Sequence, residues 1–210
     1  MSVPKKAAIS RKPEVVKARI LDAAQAEFMA AGYAGASTNR ILELFGGSKP
    51  TMFRHYPTKR EMFQAVVARI AARWSSEIDW QHIDSEVPAE WLRGFGGMAL
   101  RWILGEDNIF VGRMAIAEGE AFPEVADIYR SLAVDPIEAV LSARLETWTR
   151  AGTLDCASPQ RDAVAFLDLT LSGMVSRALY GVSRRPDDAS LDTHVDFATD
   201  LFLHGRLARS

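Results

Sequence analysis

Apolar positions recur at three- and four-residue steps along nearly the whole chain, and no alternation of period two runs longer than a few residues. Ile20, Ala23, Ala24, Phe28 and Ala31 share one face and Gly32 follows as a stop, which predicts a first helix over 14–31. Ser37 or Thr38 can cap a short second helix over 38–45 that turns Ile41, Leu42 and Phe45 inward. Gly46-Gly47 breaks the pattern. Ser48 can then cap a third helix over 49–55, where Pro50 is tolerated because a first-turn amide has no intrahelical partner. Pro57 ends that helix, and Thr58 opens a fourth over 58–79 with Met62, Phe63, Val66, Val67 and Ile70 as its stripe. Further helices are predicted over 89–104, 107–118, 159–180 and 190–204. A run from Pro123 to Ala151 is also helical, and Pro136 is placed to kink or split it. The fold class is all-α, with about nine helices.

Composition narrows the class. The 210 residues are 48% hydrophobic and 25% charged, enough to bury a core in one or two domains. No apolar run reaches the roughly 18–20 residues of a membrane span. The basic start (Lys5, Lys6, Arg11, Lys12) leads into a charged stretch rather than an apolar signal segment. The lone Cys156 leaves no intramolecular disulfide and no multi-cysteine metal site. The expectation is a soluble, cytoplasmic protein with no membrane partner, no metal and no cofactor.

Charge is unevenly spread. Residues 1–60 hold 11 basic and four acidic side chains, a net +7, and all six lysines of the chain fall there; the other 150 residues net −9. Such a split suits a basic module for a polyanion joined to a body that is not one. Residues 37–56 give that module a shape. Two short helices joined by a tight glycine turn describe a helix-turn-helix, whose second helix can enter the DNA major groove. In Lys49-Pro50-Thr51-Met52-Phe53-Arg54-His55-Tyr56, hydroxyls and a cation at the helix start can hold phosphates. Arg54 or His55 can reach base edges, and Pro50, Thr51 and Met52 offer apolar contact to a thymine methyl.

Arg19-Ile20-Leu21-Asp22-Ala23-Ala24, Phe28, Gly32-Tyr33, Ser37-Thr38, Ile41, the run Ser48 to Tyr56, Lys59 and Met62-Phe63 together closely resemble the TetR family of transcriptional regulators. The segment from Phe110 to Glu124 resembles an AefR-like C-terminal subgroup of that family. The resemblance implies a basic arm over 1–13, a DNA-binding domain over 14–74 with its motif at 37–56, and a ligand-binding and dimerisation domain over 75–210. It implies DNA-backbone contacts from Thr38, Arg40, Ser48, Thr51, Tyr56 and Lys59, with Lys49, Pro50 and Arg54 facing the groove. It also implies a homodimeric repressor released from a palindromic operator by a small-molecule effector, here a largely apolar one. Two positions depart from the family. Gly47 stands where a valine usually packs under the turn, which would loosen the helix pair, and Phe53 replaces a tyrosine and its hydroxyl.

One helix-turn-helix covers one half-site, so the last two helices are read as the dimer interface, through Phe166, Thr170, Leu171, Gly173 and Met174, then Val195, Ala198 and Phe202. Trp91, Phe95, Met98, Trp102, Phe110, Met114, Trp148 and Met174 are candidates to line an apolar effector cavity, with Trp74 and Trp80 nearby in sequence. Arg113, with Arg101, Glu118, Asp168 and Arg177, is a candidate to orient the ligand. The fourth helix, which joins the two parts, is the natural lever. Catalysis finds no support: His55, His82, His194 and His204 show no metal-binding spacing, and Gly94-Phe95-Gly96-Gly97 follows no strand. An alternative, a helical small-molecule-binding protein without DNA, predicts a neutral N-terminal part, against the +7. A TetR-like activator without effector release is the other alternative.

Overall fold

The structure, a computed structural model, describes residues 12–77, 83, 85–181 and 186–205. The expected basic arm, apart from Lys12 and Pro13, lies outside them, as do the side chain of Trp74, Trp80, His82 and the turn at Arg184-Arg185. Every element among the described residues is helical. The chain divides into two compact units, Met1–Val66 and Val67–Ser210.

The first unit holds α1 (Pro13–Gly35), α2 (Thr38–Phe45), α3 (Lys49–His55) and the start of α4 (Lys59–Glu77). Helical backbone in α1 is interrupted at Gly32, whose φ of 70° lies in the left-handed region that glycine enters without a Cβ clash. The N-terminus of α2 is capped from a distance: the Ser37 backbone N–H donates to the buried Glu27 carboxylate at 3.0 Å. At the head of α4, Thr58 N–H donates to Glu61 and Glu61 N–H donates to Thr58 Oγ1, both at 3.1 Å, a reciprocal capping box. Ile20, Phe28, Ile41, Met52, Met62 and Phe63 form the buried centre, with the Phe28 and Tyr33 rings 5.3 and 5.1 Å from Phe63.

The second unit holds the rest of α4, then α5 (Pro88–Ile103), α6 (Glu106–Glu118), α7 (Pro123–Tyr129), a π-helical segment (Arg130–Val134), α8 (Asp135–Arg150), α9 (Pro159–Leu179) and α10 (Asp188–His204). The run expected over 123–151 is therefore divided just ahead of Pro136. A proline there has no N–H for the carbonyl four residues back and its ring crowds that carbonyl, so the turn widens. At Gly96 an added Cβ would lie 3.2 Å from both Thr170 and Val195, so the glycine lets α5 approach α9 and α10 closely. Charge also aligns α5 with α10. Arg101 bonds Asp192 and Asp188, and Arg93 two turns earlier bonds Asp196 at 3.0 Å and Asp200 at 2.7 Å. The Asp192 hydrogen bond foremost holds the Arg101 guanidinium above its ordinary pKa. Asp187 caps α10 by accepting from Ser190 N–H at 2.8 Å, which holds its carboxyl below the usual value. The cap's contribution is thus present at neutral pH and is lost as acid titrates the group through that lowered value. No helix among the described residues is long and apolar enough to cross a membrane.

Candidate nucleic-acid interface

The turn between α2 and α3 is made by its glycines and Ser48. Gly46 is left-handed (φ 68°, ψ 19°) and donates its N–H to Leu42 O at 3.0 Å. Ser48 Oγ accepts from Thr51 N–H at 3.3 Å and lies 2.8 Å from Thr51 Oγ1, which fixes the first turn of α3. The inner faces of both helices carry buried Ile41, Phe45 and Met52. What faces outward on α3 is Lys49, Pro50 and Arg54, all exposed, with Thr51, Phe53, His55 and Tyr56 half-buried. Lys49 Nζ sits 5.8 Å from the Phe53 ring centroid, so the residue standing in place of the family's tyrosine steers the lysine. On α2, Thr38 is half-buried, and Arg40 is exposed and paired with Glu43 at 2.9 Å.

Two expected contacts need correction. Met52 is fully enclosed in the unit's core, because α3 has only seven residues and must bury one long apolar side chain to stay docked; a thymine methyl cannot reach it. Lys59 is spent inside the protein. Its ammonium donates to the carbonyls of Tyr33 at 2.9 Å and of Ala34 and Ala36 at 3.3 Å, and lies 4.8 Å from the Tyr33 ring centroid. Three donors meet three carbonyls, left over where Gly32 breaks α1. Lys59→Met is therefore expected to lower stability by about 1–3 kcal/mol in thermal unfolding. The salt dependence of DNA binding should stay unchanged, where loss of a phosphate contact from each of two copies would flatten its slope by about 1.8.

The departure at Gly47 is compensated. A Cβ there would collide with Phe45 Cε1, so the phenylalanine ring occupies the space under the turn. Arg19, a residue to which the sequence pattern assigned no role, holds that ring and the end of α2: its Nη2 donates to Phe45 O at 2.8 Å, with the guanidinium 5.4 Å from the ring centroid. Gly47→Val is expected to destabilise the protein by about 1–3 kcal/mol through overpacking, and a second change, Phe45→Leu, to recover most of it in the same melting experiment.

Comparison with known proteins agrees with this geometry. Residues 20–66 match the model for bacterial regulatory proteins of the tetR family, and residues 90–205, more than half the chain, match the C-terminal domain of AefR-like transcriptional repressors. The chain belongs to the TetR family. It is a DNA-binding transcriptional regulator of that family, with the N-terminal helix-turn-helix and helical C-terminal part that TetR proteins share. The chain is 40% identical over 60 residues to the HTH-type transcriptional repressor SCO4008 of Streptomyces coelicolor, a stretch covering 29% of this chain and 31% of that protein. In fold it is similar to a TetR-family regulator from Mesorhizobium loti (TM-score 0.80, 20% identity, 94% and 100% of the two chains). It is also similar to the flavonoid-responsive regulator FrrA (TM-score 0.81, 19% identity, 93% and 98%).

In the C-terminal part of this TetR protein, several expected ligand contacts turn out to be core. Trp91 stacks on Phe95 at 4.9 Å and meets the Trp148 edge at 5.6 Å, and all three are buried with Leu92, Leu141 and Leu145. These large rings pack against one another. Met114 is buried as well, while Met98, Phe110 and Met174 are half-buried. Trp102 borders a cavity of about 400 Å³ with Ile70, Arg101 and the segment from Gly105 to Asn108. Arg113 is engaged by the protein itself: its Nε and Nη2 donate to Leu179 O and Ala178 O at 2.9 and 2.6 Å, capping the end of α9.

Most of the expected dimer stripe faces inward, with Gly173 as the exception. Phe166, Thr170, Val195, Ala198 and Phe202 are buried within the unit; Phe166 and Phe202 meet edge-to-face at 5.3 Å. Leu171 and Met174 are half-buried against the same core, and Gly173 faces open space. Thr170 O lies 2.9 Å from His194 Nε2, which ties α9 to α10. Outward on these two helices stand Leu169, Tyr180, Phe197 and Leu201, with Tyr180 76% and Phe197 66% exposed. The same period that marks the buried face marks this second, sparser stripe.

Proposed function

We propose that this TetR regulator is a homodimeric repressor that lays α3 of each copy in the major groove of an inverted-repeat operator and is released by a small molecule bound in its C-terminal part. The observation that carries the reading is the exposure of Lys49, Pro50 and Arg54 on the outer face of α3, within a segment of net charge +7. Lys49 and Arg54 donate to guanine edges or phosphates, and Pro50 contacts a thymine methyl. Thr38, Arg40, Ser48, Thr51 and Tyr56 set the register on the backbone. The arm with Lys5, Lys6 and Arg11 adds phosphate contacts.

An inverted-repeat operator with half-sites about 34 Å apart needs two recognition helices, which favours a dimer. The outward stripe of Leu169, Gly173, Tyr180, Phe197 and Leu201 supports α9 and α10 as the surfaces that pair, because isolated monomers rarely leave so many large apolar side chains on adjacent helices. An effector releases DNA only by preferring a conformation with the wrong half-site spacing, and α4 carries the chain from the DNA-binding unit to the other. Titration of the protein against DNA flanking its own gene is expected to saturate at two chains per inverted repeat. Saturation at one chain, or no preference over random DNA, contradicts the reading.

A further inference from the structure

The division ahead of Pro136 has a consequence on the surface. Where the π-helical segment widens the backbone, an apolar slot of about 140 Å³ opens between it, α8, α9 and the end of α5, walled by Ile103, Val134, Ile137, Val164, Leu167 and Leu171. Beside it on α8 lies a wider vestibule of about 500 Å³, and Glu138 borders both. The charged groups at this junction are four carboxylates, Asp135, Glu138, Glu146 and Asp168, against one cation, Arg130. Asp135 is paired with Arg130 at 3.2 Å, and Glu146 with Arg150 at 3.4 Å. Asp168, at the slot, accepts only from the Ser172 hydroxyl at 3.3 Å, and Glu138, half-buried, makes no hydrogen bond or ion pair among the described residues. A carboxylate held between an apolar slot and a vestibule, with no cation of the protein paired to it, complements a positive charge on an apolar body.

We propose that this groove binds a cationic amphiphile, its apolar body in the slot and its charge between Glu138 and Asp168, and that this is the effector of the repressor proposed above. The inference rests on that reading for its regulatory meaning. It also deepens it: α9 carries the slot wall through Val164, Leu167 and Leu171, and the outward stripe through Leu169, Gly173 and Tyr180, so a ligand that moves one moves the other.

Calorimetric titration of the full chain with octyltrimethylammonium, octyl sulfate and octyl glucoside, each below its micelle range, tests the site. The cation is expected to bind at least tenfold more tightly than the other two. Glu138→Gln with Asp168→Asn is expected to remove that preference, and Leu171→Trp, which fills the slot, to abolish binding of all three. Equal binding of the three probes, or a cation preference that survives the double amide variant, overturns the proposal, and the amide variant decides it even where the tryptophan variant fails to fold. No binding of any probe, together with a change of mass in light scattering on Glu138→Lys, assigns the groove to contact between copies and also overturns it. Operator binding is measured without probe in parallel, so its loss counts against the DNA reading and leaves the groove's result standing.

Discussion

Changing Lys49 and Arg54 together to glutamate is expected to weaken operator binding at least a hundredfold while leaving the helical content and melting temperature nearly unchanged. Both side chains are exposed on the outer face of α3, and neither belongs to the buried centre built on Ile41, Phe45 and Met52. Neither makes an ion pair among the described residues; the Lys49 ammonium only rides above the Phe53 ring. Folding therefore loses little. Binding loses more, because a good base-edge contact is worth about 1–3 kcal/mol and each is replaced by an anion facing phosphates. In a dimer the change occurs in both half-sites. Anisotropy with a labelled operator fragment, beside circular dichroism, separates the two effects.

Placing glutamate at Phe197 and Leu201 is expected to convert the protein to a monomer and to remove high-affinity operator binding with it. These residues sit one turn apart on the outward face of α10, 66% and 49% exposed, so charging them costs a single chain little. Desolvating four carboxylates between two copies would cost far more than the contact returns. Binding would then rest on a single half-site, and affinity should fall by two or more orders of magnitude as the benefit of linked sites disappears. Light scattering at micromolar concentration reads the mass. A dimer that persists would move the interface elsewhere. The matching control is Phe166→Glu, on the buried face of α9, which is expected to prevent folding rather than pairing.

Much of the fold was legible in the chain because its punctuation is strong. Gly32, Gly46, Pro50, Pro88 and Pro159 each mark a helix end, a first turn or a break, and the helical backbone begins or stops within a residue or two of them. The helix-turn-helix was legible for the same reason. What periodicity cannot report is which object an apolar face meets. Phe166, Val195 and Phe202 form a clean stripe, and a stripe looks the same whether it packs against α5 or against a second copy. Trp91, Phe95 and Trp148 pose the same problem, since rings that line a cavity and rings that fill one have identical spacing. Lys59 shows a different limit. Its partners lie 23 to 26 residues earlier, and only the three-dimensional break at Gly32 turns those carbonyls toward it. Compensation of Gly47 by Phe45 is local in sequence, yet it depends on a ring orientation that no pattern specifies.

The central claim is that a basic reading head, used twice, holds DNA through cations on α2 and α3. Its most direct test is the affinity of the full chain for DNA flanking its own gene, measured by anisotropy as salt is raised. Arg40, Lys49 and Arg54 from each of two copies supply six cations, which predicts a slope of log K against log salt of about −5, steeper where the arm's Lys5, Lys6 and Arg11 add contacts, and so a loss of roughly a thousandfold or more between about 50 and 200 mM. A slope near zero, or no measurable association at the lowest salt, would contradict it.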